Sequence, residues 1–269
     1  MYDQDEDALL DQLQRDTFQY FMHETNPANG LVADSTKPQT AASIAAVGLS
    51  LTAYPVGVER GFVSRAEASA RTRATLRFFW HGPRGAQDDA IGHHGFYYHF
   101  LDVQSGRRAW NSEVSTIDSA YLLAGALTAA AYFSGDNPDE REIRALAEGL
   151  YRRADWQWYQ NGGPLVSHGW TPERGFLPYR WEGYSEALIL YVLGLASPTF
   201  PLPAASYTAW TATYQWAQFY GYDYLYAGPL FIHQLSHVWI DFRGIQDTPM
   251  RAHHSDYFEN SRRGRAGAH

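Results

Sequence analysis

Apolar and polar positions fall into helical periods along almost the whole chain, and successive segments alternate in character. Residues 5–24 are amphipathic, with Leu10, Leu13, Thr17 and Phe21 on one face and acids on the other. Residues 39–53, QTAASIAAVGLSLTA, carry no charge. Residues 64–80 are amphipathic again and open on Ser64 with Glu67 three residues on, a capping-box pattern. Residues 114–133 are nearly uncharged, and residues 138–156 then give the clearest surface helix. Asn137 can cap it, Pro138 suits its first turn, and Asp139 and Glu140 favour its positive end. Its Ile143, Leu146, Ala147, Leu150, Tyr151 and Ala154 share one face. Residues 184–196 are apolar all round, 205–219 mixed, 228–239 mostly apolar, and 253–261 begin another polar element.

An amphipathic helix lies at a surface, whereas one that is apolar all round is enclosed. Alternation of the two predicts an all-α fold of two concentric helical layers, an α/α barrel whose inner helices surround a pocket at one end. A stack of helical repeats would need a fixed-period self-similarity, which the sequence lacks. Residues 96–103, followed by Gly106, read as an extended segment turning back, a hairpin-like insertion near 95–108. No second domain and no linker is expected over 1–269. Four outer–inner pairs and the start of a ninth helix are readable. A six-pair toroid needs more chain, and the terminal NSRRGRAGAH has no helix stop, so the barrel is expected to be incomplete.

Composition narrows the function classes. The chain has 269 residues, 45% hydrophobic, which is ample for a large core. Its formal charge of −8 is spread thinly, with no basic stripe for nucleic acid or an anionic membrane. There is no cysteine, hence no disulfide frame and no thiolate site. The longest apolar run, ALILYVLGLA, is too short to span a bilayer. Residues 1–20 hold acids where a signal peptide would hold its apolar core, so the location is cytoplasmic if Met1 is native and exported only if a leader was removed. The 9 Trp, 19 Tyr and 14 Phe gather in loops beside polar groups, as in GFYYHF, DWQWYQNGG and SHGWTPERGFLPYRW. Core packing accounts for some of them. Sugar clefts are lined the same way, because aromatic faces pack on sugar C–H surfaces while polar groups take hydroxyls.

Three constellations could carry chemistry. Glu113 and Asp118, in WNSEVSTIDSAYLL, stand at the start of an apolar helix. They serve either the helix end as caps and dipole partners or a pocket onto which an inner helix opens. Glu182 and Glu186 stand before ALILYVLGLA, and a helix beginning near Trp181 would point both to one face. Helix-end electrostatics with Ser185 as cap is one reading. The other is catalytic, since an acid against the walls of Trp181 and Tyr184 would have its ionised form disfavoured, as a general acid requires. In GPLFIHQLSHVWIDFRG, His233, His237 and Asp241 recur every four residues, like a metal stripe. The metalloprotease pattern H-E-x-x-H has its Glu replaced by Gln234, so these groups are read with Trp239 and Arg243 as hydrogen-bonding residues, and no metal or cofactor is expected. No nucleophile elbow, P-loop or dinucleotide motif is present.

GFYYHFLDVQSGRRAWNSEVSTIDSAYLLAGAL, RWEGYSEALILYVLGLASPTFPLP, YAGPLFIHQLSHVWIDFRGIQD and DYFENSRR together resemble the bacterial glucoamylase-like family that contains the endo-β-1,2-glucanases of glycoside hydrolase family 144. The resemblance implies an (α/α)6 barrel, here cut short, with an acidic cleft that hydrolyses β-glucan without metal or cofactor. It implies Glu182 as general acid, with Glu113 and Asp118 as base, water-positioning group or sugar ligands. His99, Trp110, Trp170, Trp181, Tyr184, Glu186, Gln234, His237, Trp239, Asp241 and Arg243 would bind the sugar. The rival expectations are a degenerate sugar-binding fragment that does not turn over and a transglycosylase on β-1,2-glucan. A barrel left open would also self-associate through exposed inner helices.

Overall fold

Five helices and five short strands organise the first of the two compact units of the computed structural model, which describes residues 4–219 and 221–266. Residues 267–269, part of the terminus expected to lack a helix stop, lie outside the described residues. In the unit Met1–Ala154 the helices are α1 (Gln4–His23), α2 (Ile44–Glu59), α3 (Arg65–His81), α4 (Thr116–Tyr132) and α5 (Pro138–Arg153). The strands are β1 (Ala42–Ser43), β2 (Gly92–His93), β3 (Phe96–Tyr98), β4 (Phe100–Leu101) and β5 (Val114–Ser115).

The expected alternation of helix types is observed here. The uncharged α2 and α4 pack along each other, and α4 is buried at every position from Thr116 to Ala126. Two glycines permit the approach. A Cβ on Gly125 would lie 2.1 Å from the Gly48 carbonyl oxygen, and one on Gly48 would lie 2.3 Å from that of Tyr121. The amphipathic α3 and α5 pack together at the surface, with Ile143, Leu146, Ala147 and Leu150 turned inward. The predicted caps hold: Ser64 accepts the Glu67 N–H, and Asn137 accepts the Glu140 N–H. Arg65 then binds both oxygens of the buried Glu140, at 2.9 and 2.8 Å. On α1 the burial differs from the expected stripe: Leu10 and Leu13 are exposed, and Phe18 is the buried residue.

The insertion near 95–108 turns back as read, with Gly106 at φ +71° and Leu101 bridged to Arg108. It also does more than a hairpin. β3 pairs antiparallel with β2 and β5, while β4 pairs antiparallel with β1, so residues 96–101 knit together the entrances of α2 and α4.

The unit Asp155–His269 is built from shorter pieces. These are α6 (Trp156–Tyr159), a hairpin of β6 (Gly169–Thr171) and β7 (Gly175–Phe176), α7 (Leu188–Leu195), α8 (Ala204–Thr211), a hairpin of β8 (Trp216–Phe219) and β9 (Tyr222–Leu225), two 3-10 turns (Leu230–His233 and Leu235–Val238), α9 (Thr248–Ala252) and α10 (Tyr257–Ala266). Three expectations are corrected. The helix expected over 184–196 starts only at Leu188: the chain turns at Gly183, φ +68°, so no helix runs on from Trp181, and residues 184–187 form a bend and a turn. Glu182 and Glu186 therefore do not share a helix face. The helix expected over 205–219 ends at Thr211; the aromatic residues beyond it pair as a hairpin that uses Gly221 at φ +79°. The segment 228–239 is not an α-helix. It starts on Pro229 and breaks at Gln234, whose φ of −125° leaves two 3-10 turns, so His233, His237 and Asp241 form no stripe along one helix. Among the described residues no helix is long and apolar enough to cross a membrane.

Candidate active site

In the first unit, His99 stands between two carboxylates. Its backbone N–H donates to the Glu113 carbonyl at 2.8 Å and its own carbonyl accepts the Ile44 N–H at 3.2 Å, which fixes the imidazole from both sides. Nδ1 lies 3.0 Å from Glu113 Oε1, and Nε2 lies 3.6 Å from Asp118 Oδ2. Asp118 sits in the first turn of α4, almost wholly buried. Ser115 is the cap of that helix: its oxygen accepts the Asp118 N–H, and its hydroxyl donates to Asp118 Oδ2. Capping therefore falls to Ser115, and the two acids remain for other work.

The charges follow from these contacts. Burial pushes the Asp118 carboxyl above the usual range, more than His99 and Ser115 pull it down. Burial also opposes ionisation of Glu113, but the His99 hydrogen bond outweighs it and the carboxyl ends below its ordinary value. For His99, burial works against the charged ring; the Glu113 hydrogen bond and the charges of Asp118 and Asp34 prevail, so its pKa is raised. Asp34 is a site residue that sequence reasoning missed. It lies in the loop between α1 and β1, and no motif marks it.

Phe100 stacks on the His99 ring, centroids 3.9 Å apart at 18°. Trp110 leans on Phe100 at 4.9 Å and is 64% exposed. Trp110 and Asn111 both adopt left-handed backbone, φ +54° and +52°, which side-chain-bearing residues rarely do. Arg108 braces this turn by donating to the carbonyls of Ser112 at 2.6 Å and Asn111 at 2.9 Å. An exposed indole held out by a strained, braced turn suits contact with a ligand face.

In the second unit, the chain around Glu182 is clamped through its neighbours. Trp181 is buried under His168, rings 4.0 Å apart, and its N–H donates to the Val166 carbonyl. Its carbonyl accepts the Tyr191 hydroxyl at 3.1 Å. Gly183 donates to Thr213 Oγ1 and accepts from Trp210 Nε1, both at 2.7 Å. Between these fixed points the Glu182 side chain is exposed. The expected aromatic enclosure is thus not what this unit provides: Trp181 and Tyr184 are both buried away from solvent. Tyr184 packs beside His233 and Tyr257. Glu186 is partly buried in the turn before α7. Trp170, on β6, meets Trp158 edge-on at 5.9 Å.

Gln234, His237, Trp239, Asp241 and Arg243, all predicted sugar ligands, line one open pocket of about 640 Å³ with Phe258, Ser261 and Arg262. Ser261 Oγ and His237 Nε2 are 2.9 Å apart, and Arg243 pairs with Asp241 at 2.5 Å. That pairing holds Asp241 down at about 2, while burial lowers the His237 pKa despite the acids Asp241 and Asp256 nearby. Neither Glu182 nor Glu186 lines this pocket. Among the described residues no three His, Asp or Glu side chains gather so as to hold a metal ion.

The model of the family described as "Putative glucoamylase" matches residues 178–267. Over those residues the chain is similar to that family. It is 24% identical to the exo beta-1,2-glucooligosaccharide sophorohydrolase (non-reducing end) of Parabacteroides distasonis, over 97% of this chain and 39% of that protein. It matches the endo-beta-1,2-glucanase of Chitinophaga pinensis, solved with sophorotriose and glucose, with a TM-score of 0.84 at 25% identity, over 95% of this chain and 64% of that one. It matches a structure described as a putative glucoamylase from Bacteroides caccae with a TM-score of 0.83 at 29% identity, over 95% and 65%. The chain thus spans less than two thirds of the length of each. Its helix-rich fold matches that of both solved structures.

The glucoamylase-like match covers Glu182, Glu186 and every residue of the 640 Å³ pocket. Glu113, Asp118, His99 and Trp110 lie before it. Of the pocket lining, Phe258, Ser261 and Arg262 were given no role by the sequence reading, although they sit in the DYFENSRR motif. Their spacing of three and four along α10 was the signal available.

Proposed function

We propose that the chain is a glycoside hydrolase acting on β-1,2-linked glucan, the substrate class named for its relatives. Glu182 is the proton donor to the glycosidic oxygen. Glu113 and Asp118 supply the remaining carboxylate roles of base, water-positioning group or sugar ligand, and Trp110 and the 640 Å³ pocket take sugar. The observation that carries this reading is the clamp around Glu182. An exposed carboxyl on backbone fixed at both neighbours is what proton delivery to a bound substrate needs. Glycoside hydrolysis asks only for such carboxyl groups and an ordered water.

Incubation of the purified protein with β-1,2-glucan, followed by chromatography of the products, tests it. Short β-1,2-linked glucose oligomers are expected, with turnover reduced about 10²–10⁴-fold in Glu182→Gln. Binding by calorimetry without release would replace hydrolysis by sugar binding alone, and lengthened or cyclised products would replace it by transglycosylation.

A further inference from the structure

The family resemblance would make His99 one more sugar ligand. Its surroundings assign it a different task. Both ring nitrogens face carboxylates of its own unit, Nδ1 within hydrogen-bond distance of Glu113 and Nε2 at 3.6 Å from Asp118, one ring face is covered by Phe100, and its backbone is bonded on both sides. The His99 side chain keeps 31% exposure, beside Glu113, but its two nitrogens are directed at acids and not at solvent. The two carboxylates it faces differ: the Glu113 side chain is 29% exposed and that of Asp118 only 11%. Asp118 is also committed inward to the Ser115 hydroxyl and N–H geometry.

We propose that His99 is a positioning residue that, doubly protonated, clamps Glu113 through Nδ1 and faces Asp118 through Nε2, so that Glu113 is the ionised carboxylate presented to substrate and Asp118 is its buried support. The inference rests on the hydrolase reading for the word substrate, but its electrostatic content stands on the geometry alone. The charged groups around the ring are Glu113 before β5, Asp118 on α4 and Asp34 from the loop after α1; Arg108 faces Glu113 from the turn before it. Three acids around one imidazole favour the imidazolium. The three strongly interacting groups then titrate as a unit. In return the imidazolium keeps Glu113 ionised at pH values where an isolated carboxylate would begin to protonate.

Nitrogen-detected NMR of the histidine rings across pH tests this without any activity measurement. The expected result is a doubly protonated His99 that titrates above the ordinary 6.5. In Glu113→Gln, a change at a partly exposed site, that titration should fall by about one pH unit or more, the size of effect a single adjacent charge exerts. A His99 that titrates at or below 6.5, or one indifferent to Glu113→Gln, overturns the proposal. A kinetic arm adds the link to substrate. With β-1,2-glucan, His99→Gln should lower kcat with little change in KM and move the acid limb of the pH profile upward, because Glu113 loses the cation that held its pKa down. An unshifted limb with reduced kcat overturns the positioning role. Absence of turnover by the parent protein would sink the hydrolase reading, while the titration would still decide the clamp.

Discussion

The two units fix their candidate carboxylates in opposite ways. In Met1–Ala154 the side chains themselves are tied: Glu113 to His99, and Asp118 to Ser115 and the start of α4. In Asp155–His269 the backbone on either side of Glu182 is tied, to Tyr191, Thr213 and Trp210, and the carboxyl is left exposed. The first arrangement sets a protonation state, since each partner favours one ionic form. The second sets a position, since hydrogen bonds to flanking peptides restrict where the side chain can reach without touching its charge. A residue that must hold a charge and one that must deliver a proton have different needs, and the roles proposed for Glu113 and Glu182 divide along that line.

The sharpest way to break the comparison is to remove the frame beneath the first arrangement. Gly125→Val would drive a branched side chain into the Gly48 backbone, where even a lone Cβ would sit 2.1 Å from the carbonyl oxygen. Neither backbone can yield without separating α2 from α4. Denaturant unfolding should show a loss at or beyond the upper end of overpacking costs, about 3 kcal/mol. A loss under about 1 kcal/mol would mean that the helix crossing is looser than its geometry states.

Ser115→Ala strikes the tie itself. It removes the α4 cap and the hydroxyl that donates to a buried carboxylate, without touching either acid or His99. A cap is worth about 1 kcal/mol, and a buried acceptor left short of a donor costs about 1–3 kcal/mol, so a total of about 2 kcal/mol or more is expected from the same unfolding measurement. A neutral result would show that water or another group takes over the hydroxyl's role.

These frames were unequally legible from the sequence. Four helices of the first unit could be drawn to within about three residues at each end, because Ser64 and Asn137 are strong caps and the face of α5 repeats with a clean helical period. The uncharged helix expected over 39–53 instead runs Ile44–Glu59, its entrance being set by the β1 pairing and not by any cap side chain. Glu113, Asp118 and His99 could be picked out singly, but their contact depends on strand pairings such as Tyr97 with Ser115, which no periodicity encodes. In the second unit, long apolar runs hid short elements. Gly183, Pro229 and Gly221 were each visible, yet a glycine or proline states where a regular element cannot run, not what replaces it. The Glu182 clamp was invisible for a related reason: its partners Tyr191, Thr213 and Trp210 arrive from 10 to 30 residues away through hydroxyls and an indole N–H.

Thr213→Val tests that clamp with a smaller expected effect. It removes the acceptor for the Gly183 N–H while keeping side-chain volume. The same hydroxyl donates to the Trp210 carbonyl at 2.6 Å, so the cost in stability should be that of two hydrogen bonds, about 2 kcal/mol at most. If the clamp positions Glu182, turnover of β-1,2-glucan should fall by more than that loss of fold stability explains at 25 °C, where the protein stays folded. Equal activity would reduce the clamp to a local packing feature.

The smallest effect concerns pH and separates a structural acid from a site acid within the same unit. Glu140, bound by Arg65 and further by the Gly135 N–H, is held at about 2, below its ordinary 4.5. A depressed carboxyl adds stability that is present above 4.5 and is lost as pH falls through that value toward about 2. Asp118 has the opposite sign. Burial raises its pKa, so the folded state holds that proton more tightly, and its contribution favours folding at low pH and is lost as pH rises through the raised value. Unfolding measured from pH 2 to 6 should therefore show a shallower acid loss in Glu140→Gln and a steeper one in Asp118→Asn. Parallel curves for the two variants would mean that the ionisation of Asp118 is set by its hydrogen bonds and not by its burial, and with it the distinction between an acid that holds the fold and one that supports the site.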